Sequence, residues 1–176
     1  MEKKVVLFIA TSLDGYIAKE DGDLDWLSMV DDPPQDYGYS SFTDTVDTVI
    51  MGRKSYEKVL SFGIDFPHKN KRCYVLSKTR QGSDENVTFF SGNLMELVSE
   101  LKQAGGKNIY LDGGSQIVFE FLKYNLVDEA IISVVPILLG AGIPLFKNSN
   151  TPRPLKLIKS TSFKSGLVQL HYSLKS

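Results

Sequence analysis

The sequence Val49-Ile-Met-Gly-Arg-Lys-Ser55 leads from apolar residues through a glycine into a polar segment, and Ile109-Tyr-Leu-Asp-Gly-Gly-Ser-Gln116 repeats this pattern later in the chain. Both stretches predict a strand that ends at a glycine and opens directly into a helix, whose first N–H groups are free to bind an anion. Neither stretch matches GxGxxG or GxxxxGK[ST], and each glycine could instead form only a tight turn. Two such junctions in one chain favour a ligand whose phosphate groups can contact both junctions, such as a dinucleotide.

Strand-like and helix-like segments alternate through the first two-thirds of the chain. The predicted strands are Val5–Ala10, Val46–Met51, Arg72–Leu76, Val87–Phe90, Asn108–Leu111 and Val127–Val135. The predicted helices run from Pro33-Pro34 to about Thr45, over Lys54–Leu60, from the capping residue Asn93 to Gly105, and from about Ser115 to Lys123. The runs Leu155–Phe163 and Leu167–Leu174 predict a closing antiparallel hairpin. We therefore expect one α/β domain over residues 1–176, with a mixed, mostly parallel sheet between helices.

The composition is that of a globular protein: of 176 residues, 42% are hydrophobic and 23% are charged, and the net charge is −1. This charge disfavours a general nucleic-acid binder, which usually carries a basic excess. The charges are unevenly placed, because residues 14–47 hold ten acids and one base, whereas residues 147–176 hold six bases and no acid. No stretch approaches the ~20 apolar residues of a membrane span. The single cysteine, Cys73, favours a reducing compartment, so we expect a cytoplasmic protein.

Cations follow two of the predicted strand ends. Arg53 and Lys54 come directly after Gly52, where they would oppose the helix macrodipole unless an anion binds there. Ser77-Lys78-Thr79 follows the third predicted strand and adds another cation with two hydroxyl groups. If these strand ends are neighbours, the group resembles a pocket for a ribose phosphate and favours NADPH over NADH. The alternative is that these residues are ordinary solvated side chains.

Several stretches resemble the dihydrofolate reductase family. Thr48–Glu57 is similar to its cofactor motif, Arg72–Lys78 to the next strand and phosphate-binding turn, and Ile109–Leu122 to its second glycine motif and helix. Ser12–Ala18 and Pro136–Phe146 resemble the reductase domain of riboflavin-biosynthesis deaminase-reductases. The resemblance implies a dihydrofolate reductase-like three-layer α/β/α fold, NADPH as cofactor, a hydride-transfer activity and a possible homodimer.

The resemblance also assigns cofactor-binding residues. It implies that Ala10 and Ile17 line the nicotinamide pocket. Phosphate groups would be held by Gly52, Arg53, Lys54 and Ser55, joined by Ser77, Lys78 and Thr79. The pyrophosphate or the nicotinamide ribose would be held by Gly113, Gly114, Ser115 and Gln116.

The catalytic acid is harder to assign from the sequence. Dihydrofolate reductases carry an acid on the first helix, and the candidates here are Asp14, Asp25, Asp31 and Asp36, of which Asp36 falls on the predicted helix. Most acids in this stretch are expected to be solvated surface groups, and Asp14 also belongs to an Asp-Gly turn signal.

Aromatic residues near the predicted cleft could bind a ring-shaped substrate. The candidates are Trp26, Phe42 and Phe146, with packing in the core as the alternative for each. His68 and His171 are isolated in sequence, so no metal site is expected. The leading hypothesis is an NADPH-dependent reductase of a small pterin-like or pyrimidine-like substrate. The alternatives are true dihydrofolate reduction and a non-catalytic, oligomeric NADPH-binding protein.

Overall fold

The apolar runs form the strands of a central sheet in the computed structural model, which describes residues 2–148 and 151–175. The strands are β1 (Val5–Ser12), β2 (Tyr16–Ala18), β3 (Val46–Gly52), β4 (Arg72–Leu76), β5 (Thr88–Phe90), β6 (Asn108–Gly113), β7 (Glu129–Val135), β8 (Ile143–Pro144), β9 (Lys156–Ser162) and β10 (Val168–Ser173). The helices are α1 (Tyr39–Asp44), α2 (Arg53–Ser61), α3 (Leu94–Gln103) and α4 (Ser115–Lys123), with a 3-10 helix at Asp25–Val30.

Eight of these strands pair in the order β5-β4-β3-β6-β1-β7-β10-β9. The six strands from β5 to β7 are parallel to one another, and β10 pairs antiparallel with both β7 and β9. This confirms the predicted mixed, mostly parallel sheet with a C-terminal antiparallel hairpin. After β5 the chain crosses back over the sheet to form β6 between β3 and β1, and it then crosses β1 to form β7. Because β3 and β6 are neighbours, the two glycine stretches lie at the ends of adjacent strands.

Helices cover both faces of the sheet, because its central strands are apolar on both sides. On one face, α3 and α4 contribute Leu97, Val118 and Phe121 to a buried cluster that includes Val5. On the opposite face, α1 and α2 contribute Phe42 and Tyr56 to a second cluster, which includes Val6. Consecutive residues of β1 therefore enter opposite clusters, as the two-residue period of a strand requires. The result is the three-layer α/β/α arrangement that the resemblance implied.

The first helix begins later than the sequence predicted. The backbone at Tyr37 and Gly38 is left-handed, with φ of 55° and 80°, and a right-handed helix cannot pass through it. Helix α1 therefore starts at Tyr39, and the prediction of a helix from Pro33-Pro34 was wrong about its start. As a consequence, Asp36 lies in the turn before α1 and not on the helix.

Two short strands that the sequence did not predict join the loops at the end of the sheet. Strand β2 follows β1, and β8 lies within the stretch Pro136–Phe146; together they form a separate two-stranded sheet. The backbone N–H of Leu145 also donates to the carbonyl of Gly15 at 2.9 Å. These contacts hold the loop after β1 against the loop after β7.

Candidate functional site

The two glycine stretches meet at the carboxyl ends of β3 and β6. The register places Met51 opposite Gly113. A Cβ atom added at Gly52 would lie 3.7 Å from the Gly113 carbonyl oxygen, and one added at Gly114 would lie 3.2 Å from the Ser55 Oγ atom. The structure thus brings the two predicted anion sites together into one site. The absence of side chains at these glycines leaves room for a ligand to approach the backbone.

The helices that begin at this site have uncapped N termini. The N-cap residues of α2 and α4 are Gly52 and Gly114, and neither helix has a side-chain hydrogen bond at its cap or an acid in its first turn. In contrast, α3 is capped by Asn93, whose side chain accepts from the backbone N–H groups of Met95 and Glu96. The first-turn N–H groups of α2 and α4 therefore need another partner, and an anion would satisfy them.

Ser77-Lys78-Thr79 lies next to the first glycine junction. Strand β4 pairs with β3 so that Leu76 is opposite Gly52, and Ser77 follows directly. Ser77 is buried, and its Oγ atom accepts from the backbone N–H of Arg80 at 3.0 Å, whereas Lys78 and Thr79 are exposed. The ends of β3 and β4 are therefore neighbours, which is the condition for Ser77-Lys78-Thr79 and Arg53-Lys54 to form one ribose-phosphate pocket.

The cationic side chains of the site differ in whether they already have a partner within the protein. Arg53 pairs with Glu57 at 2.7 Å on the exposed side of α2, so a phosphate would compete with this carboxylate. Lys54 is exposed. Arg80, which the sequence analysis did not select, lies 4.1 Å from the ring centroid of Phe89. Such stacking on an aromatic ring holds the guanidinium near the carboxyl end of β5.

The residues predicted to hold the nicotinamide and its ribose come from β1, from β2 and from the junction between β6 and α4. Ala10 is half-buried on β1, and Ile17 on β2 packs against the α3–α4 core cluster together with Ile9. A Cβ atom at Gly113, where φ is 118°, would lie 3.4 Å from Ile9 Cδ1. Ser115 is buried in the first turn of α4.

The side chain of Gln116 already has hydrogen-bond partners within the protein. Its side-chain amide donates to Glu120 at 3.3 Å and accepts from Lys147, and the residue is exposed. A ligand that used this side chain would have to compete with Glu120 and Lys147.

Asp14 joins the two loops at the end of the sheet. Its Oδ1 atom accepts from Ser12 Oγ at 2.6 Å and from the Leu139 N–H at 3.1 Å, and its Oδ2 atom accepts from the Gly140 N–H at 2.8 Å. The hydrogen bond from Ser12, with those from the two loop N–H groups, lowers the pKa of this carboxyl. Both oxygens are therefore engaged within the protein.

The other three candidate acids are exposed. Asp25 pairs with Lys19 at 2.8 Å. Asp31 follows the last residue of the 3-10 helix. Asp36 accepts from the N–H groups of Gly38 and Ser40, each at 2.9 Å, so its carboxylate stabilises the turn that leads into α1.

Two of the three candidate aromatic residues are buried. Trp26 packs with Val135 and Leu167 in a third apolar cluster. Phe42 stacks on Phe8, with ring centroids 4.7 Å apart. Phe146, in contrast, is 53% exposed, so it is the candidate that is free to contact a ligand directly.

The sequence analysis missed a polar group at the carboxyl end of β6. Asp112 directly precedes Gly113, and its Oδ2 atom lies 3.9 Å from the Nε2 atom of His68, which is buried. The His68 ring packs edge-on against Tyr110, at 5.7 Å between centroids. Asp112 has no partner on β3 because the register shifts there, and its position directly before a glycine at a strand end was the available signal.

Asp112 affects the ionisation of the groups around it. Burial, reinforced by the charge of Asp112, raises the pKa of Tyr39 to about 12 and that of Cys73 to about 12. Burial lowers the pKa of His68, Asp112 opposes this effect, and Lys71 adds to it. At neutral pH the Tyr39 hydroxyl and the Cys73 thiol are therefore protonated, and burial favours the uncharged form of His68.

The fold and the site define a protein with the dihydrofolate reductase-like architecture. The chain belongs to the RibD C-terminal domain family, whose model matches residues 3–169. It is 46% identical over 173 residues to protein YwjB of Bacillus subtilis (strain 168), covering 98% of each chain. It is 34% identical to protein YyaP of the same organism, covering 97% of this chain and 95% of that one.

Solved structures agree with this assignment. A putative riboflavin biosynthesis protein from Shewanella sp. PV-4 superimposes with a TM-score of 0.90 at 39% identity and covers 98% of this chain and 99% of that one. A deaminase/5-amino-6-(5-phosphoribosylamino)uracil reductase from Thermotoga maritima shares the fold, with a TM-score of 0.74 at 16% identity, and is covered over 57% of its length. The predicted family and fold are confirmed.

Residues 2–148 and 151–175 show neither a membrane-spanning helix nor a cluster of metal ligands. None of the helices in these ranges has the length and apolar character that crossing a membrane requires. The same residues contain no group of three or more His, Cys, Asp or Glu side chains arranged to hold a metal ion.

Proposed function

We propose that this protein is an NADPH-dependent reductase that transfers a hydride to a small heterocyclic substrate and is related to the reductase of riboflavin biosynthesis. The observation that carries the proposal is the convergence of two uncapped helix N termini, those of α2 and α4, on the neighbouring strands β3 and β6. A dinucleotide presents a diphosphate to such N–H groups. Membership of the RibD C-terminal domain family supports the reductase class.

The residues at the junction fit this cofactor. Side chains at Gly52 and Gly114 would fill the space between α2 and α4, at 3.2 Å from Ile117 and from Ser55 respectively, and their absence leaves a cradle of backbone groups. The stretches 52–55 and 113–116 would hold the phosphates and the adjoining ribose, and Ala10 and Ile17 would contact the nicotinamide. When bound, NADPH supplies the hydride, while the protein orients the two rings and excludes water.

The preference for NADPH over NADH rests on the cations beside the first junction. Arg53, Lys54 and Lys78 lie at the ends of adjacent strands, where a ribose phosphate would complement their charge. Arg80, held on Phe89, adds a fourth positive charge to the same edge of the sheet.

Fewer residues are available to contact the substrate than the sequence suggested. Phe146 is exposed and available to a ring, whereas Trp26 and Phe42 would support the site from the core. A protonating role for Asp14, Asp25, Asp31 or Asp36 stays a prediction, and the hydrogen bonds of Asp14 and Asp36 to their own loops do not favour it.

We also propose that the protein forms a homodimer through its C-terminal hairpin. Strand β9 lies at the end of the sheet, so its outer backbone edge has no neighbouring strand among the described residues. Leu155, Leu157 and Ile158 are 43%, 51% and 49% exposed on and beside this strand. An exposed apolar edge strand commonly pairs with another chain.

Calorimetric titration of the full chain with NADPH and with NADH tests the cofactor assignment. We expect saturable NADPH binding that is at least about tenfold tighter than NADH binding, since one added charge-assisted contact changes affinity by about that factor. Gly114→Ala should weaken NADPH binding about tenfold, because its Cβ atom narrows the gap to Ser55.

Ser99→Ala, on the exposed side of α3, is the matched control and should bind NADPH as the unmodified protein does. Equal affinities for the two nucleotides, or a Gly114→Ala variant with unchanged NADPH affinity and an unchanged melting temperature, would contradict the proposed cradle.

A further inference from the structure

The segment between the 3-10 helix and α1, residues 31–38, is held by the C-terminal hairpin. The Tyr37 hydroxyl donates to the Val30 carbonyl and lies at hydrogen-bond distance, 2.8 Å, from Ser165 Oγ in the turn between β9 and β10. The Tyr37 ring also packs edge-on against Phe163, with ring centroids 4.8 Å apart. Side chains of the hairpin, more than a hundred residues away in sequence, therefore fix this segment.

The backbone of the same segment is bound to the sheet. The Tyr37 carbonyl accepts from the side-chain amide of Gln169 at 2.9 Å, and the same nitrogen donates to Ser133 Oγ at 3.0 Å. Gln169 on β10 is paired with Ser133 on β7, which in turn is paired with Ala10 on β1. A continuous row of neighbouring residues therefore leads from Tyr37 to Ala10, the residue proposed to contact the nicotinamide.

The 3-10 helix before this segment lies at the edge of the sheet that carries the glycine junctions. Trp26 on this helix packs with Val135, the last residue of β7, and with Leu167. Strand β7 is parallel to β1, so Val135 marks the carboxyl edge of the sheet, where open α/β sheets bind their ligands. The hairpin thus holds a segment that borders the proposed cleft.

Tyr37 keeps a backbone conformation that requires support from its surroundings. Its φ is 55°, in the left-handed region that residues other than glycine rarely adopt. Such residues persist where the surrounding structure determines their conformation, and they cluster at ligand sites. The contacts with Ser165, Phe163 and Gln169 provide this support.

We propose that Tyr37 and Gln169 are positioning residues through which the C-terminal hairpin fixes the nicotinamide end of the cofactor cleft. The inference rests on the proposed function in one respect, since the ligand that responds to them is taken to be NADPH. The phosphate groups would bind at the glycine junctions on β3 and β6, and two strands, β1 and β7, separate β6 from β10. Loss of either side chain should therefore weaken binding of the nicotinamide end and spare the phosphate end.

The experiment compares NADPH with adenosine 2′,5′-bisphosphate, which carries the phosphorylated ribose of NADPH and lacks its nicotinamide. Tyr37→Phe keeps the ring against Phe163 and removes the hydroxyl group. In calorimetric titrations of the full chain, we expect Tyr37→Phe to weaken NADPH binding at least about fivefold, the effect of one neutral hydrogen bond. The affinity for adenosine 2′,5′-bisphosphate should stay the same. Gln169→Met, which has a similar length and no amide, should give the same pattern.

A second measurement needs no ligand. Trp26 is the only tryptophan of the chain and is 4% exposed, so acrylamide should quench its fluorescence weakly in the unmodified protein. Tyr37→Phe and Ser165→Ala should each increase the quenching clearly. The double variant should increase it no further than Tyr37→Phe alone, because Ser165 acts through the same hydroxyl group.

Tyr124→Phe and Gln103→Met are the matched controls, since both residues are exposed, at the ends of α4 and α3. They should leave both affinities and the quenching of Trp26 unchanged. The inference is overturned if Tyr37→Phe leaves NADPH binding or Trp26 quenching as in the unmodified protein, or if it weakens both ligands alike. Gln169→Met decides the question if Tyr37→Phe does not fold.

The two proposals fail in different ways. Normal NADPH binding that Tyr37→Phe leaves unchanged would remove the positioning role and leave the cofactor assignment in place. Absent NADPH binding in the unmodified protein, with Trp26 exposed by Tyr37→Phe, would remove the cofactor assignment and leave the hold of the hairpin on residues 31–38.

Discussion

Asp14 and Asp112 both lie near strand ends, but their surroundings give the two carboxylates different roles. Asp14 accepts three hydrogen bonds from groups of its own loops, so it is already satisfied when no ligand is present. Asp112 lies 3.9 Å from a ring nitrogen of His68 and beside the hydroxyl of Tyr110. The position of an acid in the sequence therefore says less about its function than the donors that the fold brings to it.

Asp128 shows how a buried carboxylate is stabilised when its function is structural. It accepts from the Val5 N–H and from Lys102, each at 2.7 Å, and also from Lys175. Burial opposes its charge, but these hydrogen bonds outweigh burial and lower the pKa of Asp128 below its usual value. The residue thus joins β1, α3 and the C-terminal segment.

We predict that Asp128→Asn lowers the free energy of unfolding by about 2–3 kcal/mol at pH 7, because it removes a charge that two lysines complement. A lowered folded-state pKa means that this contribution is complete above the unfolded-state pKa of about 4 and is lost as the pH falls through the folded-state value. Urea unfolding of both proteins from pH 7 down to pH 3 should therefore give a difference that shrinks at the acid end.

Asp65→Asn is the matched control for this measurement. Asp65 also pairs with a lysine, Lys69, at 2.6 Å, but its side chain is 88% exposed. Its replacement should change the free energy of unfolding by less than about 0.5 kcal/mol. A difference for Asp128→Asn that is as small as this, or that grows as the pH falls, would show that the argument about its charge is mistaken.

Among the elements, the helices differ in how their N termini are satisfied. Helix α3 carries its own cap in Asn93, and the sequence predicted that cap and the helix correctly because the pattern is local. Helices α2 and α4 begin at bare glycines on neighbouring strands. Of the three longest helices, the two that lack a side-chain cap are the ones that meet at the proposed binding site.

The start of α1 and the surroundings of Asp112 could not be read from local patterns. Few non-glycine residues adopt the left-handed backbone conformation of Tyr37, and no sequence motif predicts it there. His68 lies in a segment without clear periodicity, before β4, and meets Asp112 only because β3 lies between β4 and β6 in the sheet. Both misses concern contacts between residues that are distant in sequence or a backbone conformation that the fold imposes.

The hairpin element gives a prediction about assembly. Light scattering of the full chain should give twice the chain mass of 19.6 kDa, because the outer edge of β9 and its exposed apolar side chains are available to a second copy. The variant Leu157→Lys/Ile158→Lys should give the mass of one chain, since two charges on each partner would face one another. Leu60→Lys, a control at a residue 44% exposed on α2, should leave the mass unchanged. A single-chain mass for the unmodified protein would refute the dimer.

At the scale of the whole molecule, the uneven charge distribution acquires a structural interpretation. The acid-rich stretch 14–47 covers the loop after β1, the 3-10 helix and α1, where most carboxylates bind lysines or turn N–H groups. The cations proposed to bind the cofactor, Arg53 and Lys78, lie outside both charged stretches. Although the net charge of the chain is −1, positive side chains such as Arg53 and Lys78 are grouped beside the glycine junction.

The strand order explains why so much of this site was predictable. The glycines, the hydroxyls and the lysine at the strand ends were recognisable in sequence, and parallel strands place all their carboxyl ends at one edge. The insertion of β6 between β3 and β1 then makes the two glycine junctions neighbours. The substrate side depends on side chains from several elements, so candidates could be named there from the sequence but their mutual distances could not.

The reductase assignment is tested most directly by following NADPH consumption by the full chain in the presence of heterocycles. The compounds are 5-amino-6-(5-phosphoribosylamino)uracil, simpler aminopyrimidines, oxidised and dihydro pterins, and dihydrofolate. We predict that at least one aminopyrimidine or pterin is reduced with the loss of one NADPH per product, and that NADPH is stable without it. Reduction of dihydrofolate alone would favour the dihydrofolate reductase alternative, and saturable NADPH binding with no consumption for any compound would contradict the reductase assignment.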